Sequence, residues 1–161
     1  MSRLIEQLRI HKDDRGMMAN LRCALVKNKA HRAWPVLNRL GVPINNDVQV
    51  QIAALFATHS DDDPSAGNFG STCRAIRVKR DQKTDDKLTP TERRFQHLIS
   101  AERHELPGRV LRMVLMAKSQ GIPVNFTTLA TDLKYWNDCT KIEWASSFWT
   151  QGATTSMESE E

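Results

Sequence analysis

Residues 89–121 read TPTERRFQHLISAERHELPGRVLRMVLMAKSQG, and this stretch decides the fold class. Thr89, Pro90 and Glu92 match an N-cap, a first-turn proline and the return carboxylate of a capping box. The apolar residues behind them recur at helical spacing: Phe95, Leu98 and Ile99. The pattern predicts a helix with one buried face, whose other sides carry Arg93, Arg94, His97 and Arg103.

A second helix is predicted after Leu106-Pro107, ending at Gly121, a residue suited to the C′ position. Its apolar residues form two stripes: Leu111, Val114 and Leu115 in one, Val110, Met113 and Ala117 in the other. Arg109 and Arg112 are three residues apart and share the face between the stripes. Two guanidinium groups on a rigid, otherwise apolar helix suit a phosphate backbone, and a solvated arginine pair is an equally good interpretation.

The remainder of the chain repeats this pattern of caps, amphipathic segments and turns. The predicted N-caps are Asp13 or Asp14, Asp47, Asn125 and Asp138. The principal predicted core positions are Leu4, Ile5, Leu8, Met17, Met18, Leu21, Leu25, Val26, Trp34, Leu37, Leu40, Ile52, Leu55, Phe56, Phe69, Cys73, Ile76, Phe126, Leu129, Leu133, Trp136, Ile142, Ala145 and Trp149, with Trp144 and Phe148 beside them. No run predicts a strand of convincing length, so the predicted fold class is all-α.

Residues 81–90 are polar, mixed in charge and free of apolar periodicity, which favours an exposed linker. We therefore expect two small helical bundles joined by this linker. The predicted units are an N-terminal helical lobe over 1–80 and a C-terminal helical bundle over 91–150. The last residues, 151–161, are predicted to be an acidic disordered tail.

The 161-residue chain carries a net charge of +4, and this charge is unevenly distributed. Lys and Arg outnumber Asp and Glu by 21 to 13 as far as Lys118, and are outnumbered by 2 to 6 from Ser119 onward. A basic body indicates an acidic partner, most economically a nucleic acid. Three distant cysteines and the lack of an apolar span or export segment favour a cytoplasmic protein that does not enter membranes.

Catalytic and metal-binding patterns are missing from the sequence. The five histidines do not stand with Cys or carboxylates at metal-ligand spacing, and no phosphate-cradling glycine loop is complete. The acidic run at 60–68 fails as a calcium loop because Ala66 and Thr72 occupy the glycine and glutamate positions. Cys73 lies among cations but has no evident base. We expect no enzymatic activity, no metal and no cofactor.

Binding has positive support, because cations from separate helices each flank an apolar stripe. The candidate nucleic-acid-binding residues are Arg22, Lys27, Arg74, Arg77, Arg80, Arg94, Arg103, Arg109 and Arg112. Burial of the stripes could align these cations along one groove. Aromatic residues are largely absent from the basic stretches, which favours contacts to phosphates over stacking on bases. Three alternatives stay open: a helical adaptor that binds acidic proteins, a metal-dependent nuclease, and a sequence-specific regulator.

Four segments occur in the order found in one known family. They are DRGMMANLRCAL (14–25), FGSTCRAI (69–76), ERRFQHLISAERHELPGRVLRMVLMAK (92–118) and GIPVNFTTLATDLKYWNDCTKIEWASSFW (121–149). From Asp13 to Trp149 the chain resembles CasB, the small subunit of the type I-E CRISPR surveillance complex, Cascade. The most specific parts are the ERRF segment and the late tryptophan pattern.

The resemblance implies a non-catalytic, all-helical protein of two small bundles. Its implied partners are the guide RNA, the target and displaced DNA strands, the backbone and large subunits of Cascade, and a second copy of itself. The matching positions point to Arg22, Arg94 and Arg112 as the strongest binding candidates. Two departures weaken the match: Cys23 replaces a second arginine, and Asn137 and Asp138 stand where some members have basic residues. The compensating candidates are Arg74, Arg77, Lys134 and Lys141.

Overall fold

The structure is a computed structural model that describes residues 2–82 and 87–150. The predicted tail at 151–161 lies outside these described residues. The described ranges contain nine α-helices: α1 (Ser2–Ile10), α2 (Arg15–Arg22), α3 (Trp34–Arg39), α4 (Asp47–Thr58), α5 (Phe69–Arg80), α6 (Pro90–Ile99), α7 (Leu106–Gln120), α8 (Phe126–Lys134) and α9 (Asp138–Phe148). Two 3₁₀ segments, Cys23–Leu25 and Lys27–Ala33, join α2 to α3.

The all-α prediction is confirmed for these ranges. The nearest approach to β-structure within them is one isolated bridge between Asp62 and Val124. None of the described helices is both long and apolar enough to cross a membrane.

Most predicted helix caps are correct because caps are local features, but α6 ends at Ile99, so Arg103 lies beyond the helix on which it was predicted. Thr89 and Glu92 form the full capping box of α6, and Gly121 ends α7 in the left-handed region with φ of 68°. Asp14 and Asn125 cap α2 and α8 as predicted.

Two predicted caps are wrong by one residue. Asn46 caps α4 and Asn137 caps α9, each accepting a backbone N–H through its side-chain oxygen. Both asparagines have the extended backbone that an N-cap needs. The predicted cap residues Asp47 and Asp138 instead open the helices, where a negative charge favours the helix dipole.

One apolar core runs through helices from both sides of the predicted linker. Helix α4 packs against α1, α2, α7 and α8, and α5 packs against α6, α7 and α9. Phe56 and Phe126 contact each other across the predicted boundary, as do Phe69 and Trp144, each pair with ring centroids 5.3 Å apart. The two predicted lobes therefore share a core, and their folding as separate bundles stays a prediction.

Asp81 joins the two ends of the predicted linker. Its carboxylate accepts hydrogen bonds from the backbone N–H and the hydroxyl of Thr91, both at 3.0 Å. Burial raises the pKa of Asp81, but the donors at Thr89 and Thr91, with the nearby Arg80, together hold it below its usual value. These two hydrogen bonds connect the end of α5 to the first turn of α6.

Several core predictions are wrong where tertiary packing decides between apolar side chains. Ile142 is 64 % exposed because α9 turns Trp144 and Phe148 inward, where they pack on Phe69 and Phe95. The large aromatic rings fill that space in place of Ile142. Other predicted core residues also reach solvent: Val26, Trp34, Leu115 and Trp149. Met113 of the predicted apolar stripe is buried.

Helices α5 and α9 approach each other closely at Gly70. A Cβ atom placed on Gly70 would lie 2.1 Å from the backbone oxygen of Trp144. Only a residue without a side chain fits here, so the aromatic packing of α9 on α5 depends on this glycine.

We predict that Gly70→Ala lowers the free energy of unfolding by about 1–3 kcal/mol or more, because the added methyl forces α5 and α9 apart. Chemical denaturation monitored by circular dichroism measures this loss. Gly108→Ala is the matched control, since nothing lies within 4 Å of its Cβ position. The control should gain up to about 1 kcal/mol from helix propensity. Equal stability of both variants would contradict the close approach.

Candidate nucleic-acid interface

Several of the predicted binding arginines donate hydrogen bonds to the carbonyl ends of distant helices. Arg22 donates from Nη1 to the oxygen of Ala57 at the end of α4, at 2.8 Å. Arg103 donates to the oxygens of Leu133 and Lys134 at the end of α8, at 3.0 and 3.3 Å. The last carbonyls of a helix have no partner within it and form its negative pole, so a cation satisfies both needs.

Three more cations lie at the ends of three other helices. Arg109 donates to the oxygen of His97 in the last turn of α6 at 2.6 Å, and Arg74 to the oxygen of Thr150 just beyond α9 at 3.1 Å. Lys79 donates to the oxygen of Gln120 at the end of α7. We call these five residues the capping cations, because each bonds a carbonyl in the last turn of a helix or just after it: Arg22, Arg74, Lys79, Arg103 and Arg109. Their side-chain positions are set by the fold.

Arg77 is committed to the interior of the structure. Its Nη1 lies 3.5 Å from Oε2 of Glu92, and the two side chains are only 19 % and 7 % exposed. The guanidinium also stands over the Phe148 ring, 5.0 Å from its centroid. Arg77 therefore joins α5, α6 and α9, and little of its surface is left for an external phosphate.

Arg109 is likewise held by a carboxylate. Its Nη2 donates to Oε2 of Glu105 at 2.6 Å, one turn earlier along the chain, and its side chain is 17 % exposed. The backbone N–H of Glu102 and, to a lesser degree, the Arg109 guanidinium keep the pKa of Glu105 below its usual value. The charge of Arg109 is thus partly neutralised.

Arg94 and Arg112 are free of such commitments and lie on one side of the α6–α7 pair. Nη1 of Arg94 is 3.7 Å from the sulfur of Met116, which stands one turn after Arg112 on α7. Residues four apart are neighbours on a helix surface, so the two arginines flank Met116. Arg112 is exposed, and within residues 2–82 and 87–150 it makes no hydrogen bond or ion pair.

We define the α6–α7 face as Arg94, His97, Arg109 and Arg112. His97 is exposed one turn after Arg94, and the hydrogen bond from Arg109 to its carbonyl brings the two helices together there. The face carries three guanidinium groups, of which one is paired with Glu105. It can attract a phosphate backbone without selecting a base.

The remaining candidates lie elsewhere. Arg80 is exposed at the end of α5 beside Asp81, and Lys27 is exposed on the second 3₁₀ segment. Arg22 bonds Ala57 at the end of α4, and His59 at that same end bonds the oxygen of Ile122 just after α7. Arg22 is therefore near the C-terminal end of α7. Arg109 is near the opposite end of α7. The structure thus brings Arg94, Arg109 and Arg112 together, and a continuous groove through all the candidates stays a prediction.

Two groups among the described residues could be considered for catalysis or metal binding: the Cys73 thiol and the cluster of Glu102, His104 and Glu105. Burial raises the pKa of the Cys73 thiol far above its ordinary value, which disfavours the thiolate form in spite of the neighbouring cations. Glu102, His104 and Glu105 offer donor atoms within 4.8 Å of one another, a proximity that the sequence pattern did not predict. The cluster is solvent-facing, and Glu105 already accepts from Arg109.

A comparison with protein-family models decides the family. The model of the CRISPR-associated protein Cse2 matches residues 17–149. The chain belongs to the Cse2 family. This match confirms the resemblance to CasB that the sequence segments indicate.

Solved structures support the Cse2 fold at low sequence identity. The chain is similar to a CRISPR-associated Cse2-family protein from Thermus thermophilus, with 17 % identity, a TM-score of 0.70, and coverage of 91 % of this chain and 93 % of that one. It is also similar to CasB from M. ruber, with 22 % identity, a TM-score of 0.62, and coverage of 83 % of each chain. Comparison with curated proteins found no match.

The residues at which this Cse2 chain departs from the expected basic pattern have structural roles. Asn137 caps α9 and Asp138 occupies its first turn. Cys23 donates from its thiol to the oxygen of Ala19 at 3.4 Å. Of the compensating candidates, Lys134 and Lys141 lie over the rings of Tyr135 and Trp136, at 5.2 and 5.6 Å from the centroids.

Sequence patterns missed two features of this Cse2 chain. Lys79 is absent from the predicted binding residues, and its capping role depends on the tertiary position of α7. The prediction that Trp34 lies in the core is wrong, since it is 46 % exposed beside a cationic 3₁₀ segment. The sequence KNKAHRAWP carried a usable signal, because a tryptophan among cations and next to a proline does not continue an apolar helical stripe.

We predict that Arg109→Ala lowers the free energy of unfolding by about 1.5–3 kcal/mol, because it removes charged hydrogen bonds to His97 and Glu105. Arg112→Ala, three residues away, should change stability by less than about 0.5 kcal/mol. Urea denaturation of both variants measures the difference. A destabilised Arg112→Ala or an unaffected Arg109→Ala would contradict the division between capping and free arginines.

Proposed function

We propose that this chain is a non-catalytic, nucleic-acid-binding small subunit of a type I-E CRISPR Cascade complex. It acts there by stabilising the guide RNA–target hybrid and the displaced DNA strand. Membership of the Cse2 family supports the assignment to a CRISPR system. The single observation that carries the binding role is the pair Arg94 and Arg112, two exposed guanidinium groups on one face.

The proposed contacts are electrostatic. Arg94 and Arg112 each neutralise one phosphate and release condensed counterions, which gives affinity without base selectivity. Among the capping cations, Arg22, Arg74 and Arg103 contribute further positive charge, as do Lys27 and Arg80. Arg77 and Arg109 contribute mainly by holding α6, α7 and α9 in position.

Weak contacts of this kind suffice for the proposed role. Exchange of a DNA duplex for an RNA–DNA hybrid is nearly balanced in free energy, so a protein that holds the freed strand can decide whether the loop persists. No bond is made or broken in this step. The proposed partners are the guide RNA, both DNA strands, the backbone and large Cascade subunits, and a second copy of the chain, in a cytoplasmic complex.

A helical adaptor for acidic protein surfaces is the second candidate. The observation that favours it is Leu115, which is 47 % exposed one turn from both Arg112 and Lys118 on α7. The buried core of a protein interface is more apolar than the rest of the surface, and arginine is enriched there. A protein partner would bury Leu115, whereas phosphate binding gives it no role.

We predict that Arg94→Ala or Arg112→Ala weakens binding to DNA of any sequence and lowers the salt slope of binding by about one for each variant. Fluorescence anisotropy with a mixed-sequence duplex over a salt series measures this. Lys12→Ala is the control: it removes the same charge from an exposed residue near Asp13, Asp61 and Asp62. Unchanged slopes for both arginine variants would overturn their role. Loss of protein binding in Leu115→Ala with intact DNA binding would favour the adaptor.

A further inference from the structure

The 3₁₀ segment Lys27–Ala33 and the tryptophan that follows it form a second cationic surface, distant from the α6–α7 face in the chain. Every polar or charged position of the segment is exposed: Lys27, Asn28, Lys29, His31 and Arg32. Trp34 at the start of α3 is 46 % exposed beside them. A large aromatic ring left in solvent among cations is unusual for a side chain that could have joined the core.

The 3₁₀ geometry explains why these side chains share the outer surface. A 3₁₀ helix has three residues per turn, so residues three apart stand above one another. Ala30 and Ala33 form the inner edge, and Ala33 is completely buried. His31 and Trp34 therefore lie on one outer edge, and their ring centroids are 6.3 Å apart. Lys29 and Arg32 occupy the other outer edge.

Trp34 is 46 % exposed, which leaves room for another ring against its indole. His31 meets it at an interplanar angle of 75°, which is an edge contact and not a parallel stack. The indole therefore combines solvent exposure with cations on the adjacent edge. Single-stranded nucleic acids are bound by this combination, in which a base stacks on an aromatic ring while cations follow the phosphates.

We propose that Trp34 is a base-stacking platform for single-stranded nucleic acid, with Lys29 and Arg32 contacting the flanking phosphates. The proposal rests on the proposed function in that the chain must bind nucleic acid. It adds a distinction that the α6–α7 face does not provide. A duplex keeps its bases stacked on each other, so Trp34 can select unpaired strands without selecting sequence.

The test compares two probes on the full-length chain: a labelled single-stranded oligothymidylate and a mixed-sequence duplex of equal length. Trp34→Ala should weaken single-strand binding by about fivefold to a hundredfold, as loss of one stacked base does, and change duplex binding less than about twofold. Trp34→Phe should retain most single-strand affinity. Ile142→Ala is the control, because it removes an exposed apolar side chain from α9 and should change neither.

Tryptophan fluorescence supplies a second readout that does not depend on the stability of Trp34→Ala. Oligothymidylate should quench the emission of the wild-type chain, and Trp34→Phe should lose most of this quenching while still binding. Unchanged single-strand affinity in Trp34→Ala, equal losses on both probes, or full quenching in Trp34→Phe would each overturn the proposal. If Arg94→Ala lowers the affinity for nucleic acid while Trp34→Ala does not, this inference alone is contradicted. If the wild-type chain binds neither probe, the proposed function is contradicted as well.

Discussion

The terminal carbonyls of its short helices need hydrogen-bond donors from outside each helix, and much of this structure depends on supplying them. The helices have 6 to 15 residues, so the unpaired carbonyls of their last turns form a large part of the backbone. The chain meets that demand with donors from distant positions: Arg22 at α4, Arg109 at α6, Lys79 at α7 and Arg103 at α8. Each contact gives a terminal carbonyl a partner and links two separate segments of the chain. The basic composition of this Cse2 chain is therefore partly a requirement of its fold.

This requirement divides the cations into those held by the fold and those left for a partner. Arg77 and Arg109 have carboxylate neighbours and little exposure. Replacing either one should therefore lower the stability of the fold. Arg94 and Arg112 are exposed and flank Met116 without a carboxylate partner among the described residues. Their proximity follows from the same α6–α7 contact that Arg109 stabilises. Arg109 thereby helps to position the proposed phosphate-binding surface.

Local features of the fold could be predicted from the sequence because they depend on neighbouring residues. The capping box at Thr89 and Glu92, the C′ glycine at Gly121 and the buried stripe of α6 are of this kind. The sequence could not predict which apolar residues of α9 turn inward, since the aromatic partners of Trp144 and Phe148 come from α5 and α6. It could not predict either that Arg109 is hydrogen-bonded within the fold whereas Arg112 is free among the described residues. Both flank apolar stripes at helical spacing, and only the position of α6 gives Arg109 a carbonyl.

The most direct measurement of this division is an NMR experiment on the arginine Nη–H groups, through which Arg103 and Arg109 donate, recorded with and without a mixed-sequence oligonucleotide. The capping arginines Arg103 and Arg109 should show slow proton exchange in the free chain and small changes on binding. Arg94 and Arg112 should exchange rapidly when free, then shift and become protected when phosphate is bound. The account would be contradicted if Arg103 and Arg109 shifted on binding while Arg94 and Arg112 remained unchanged.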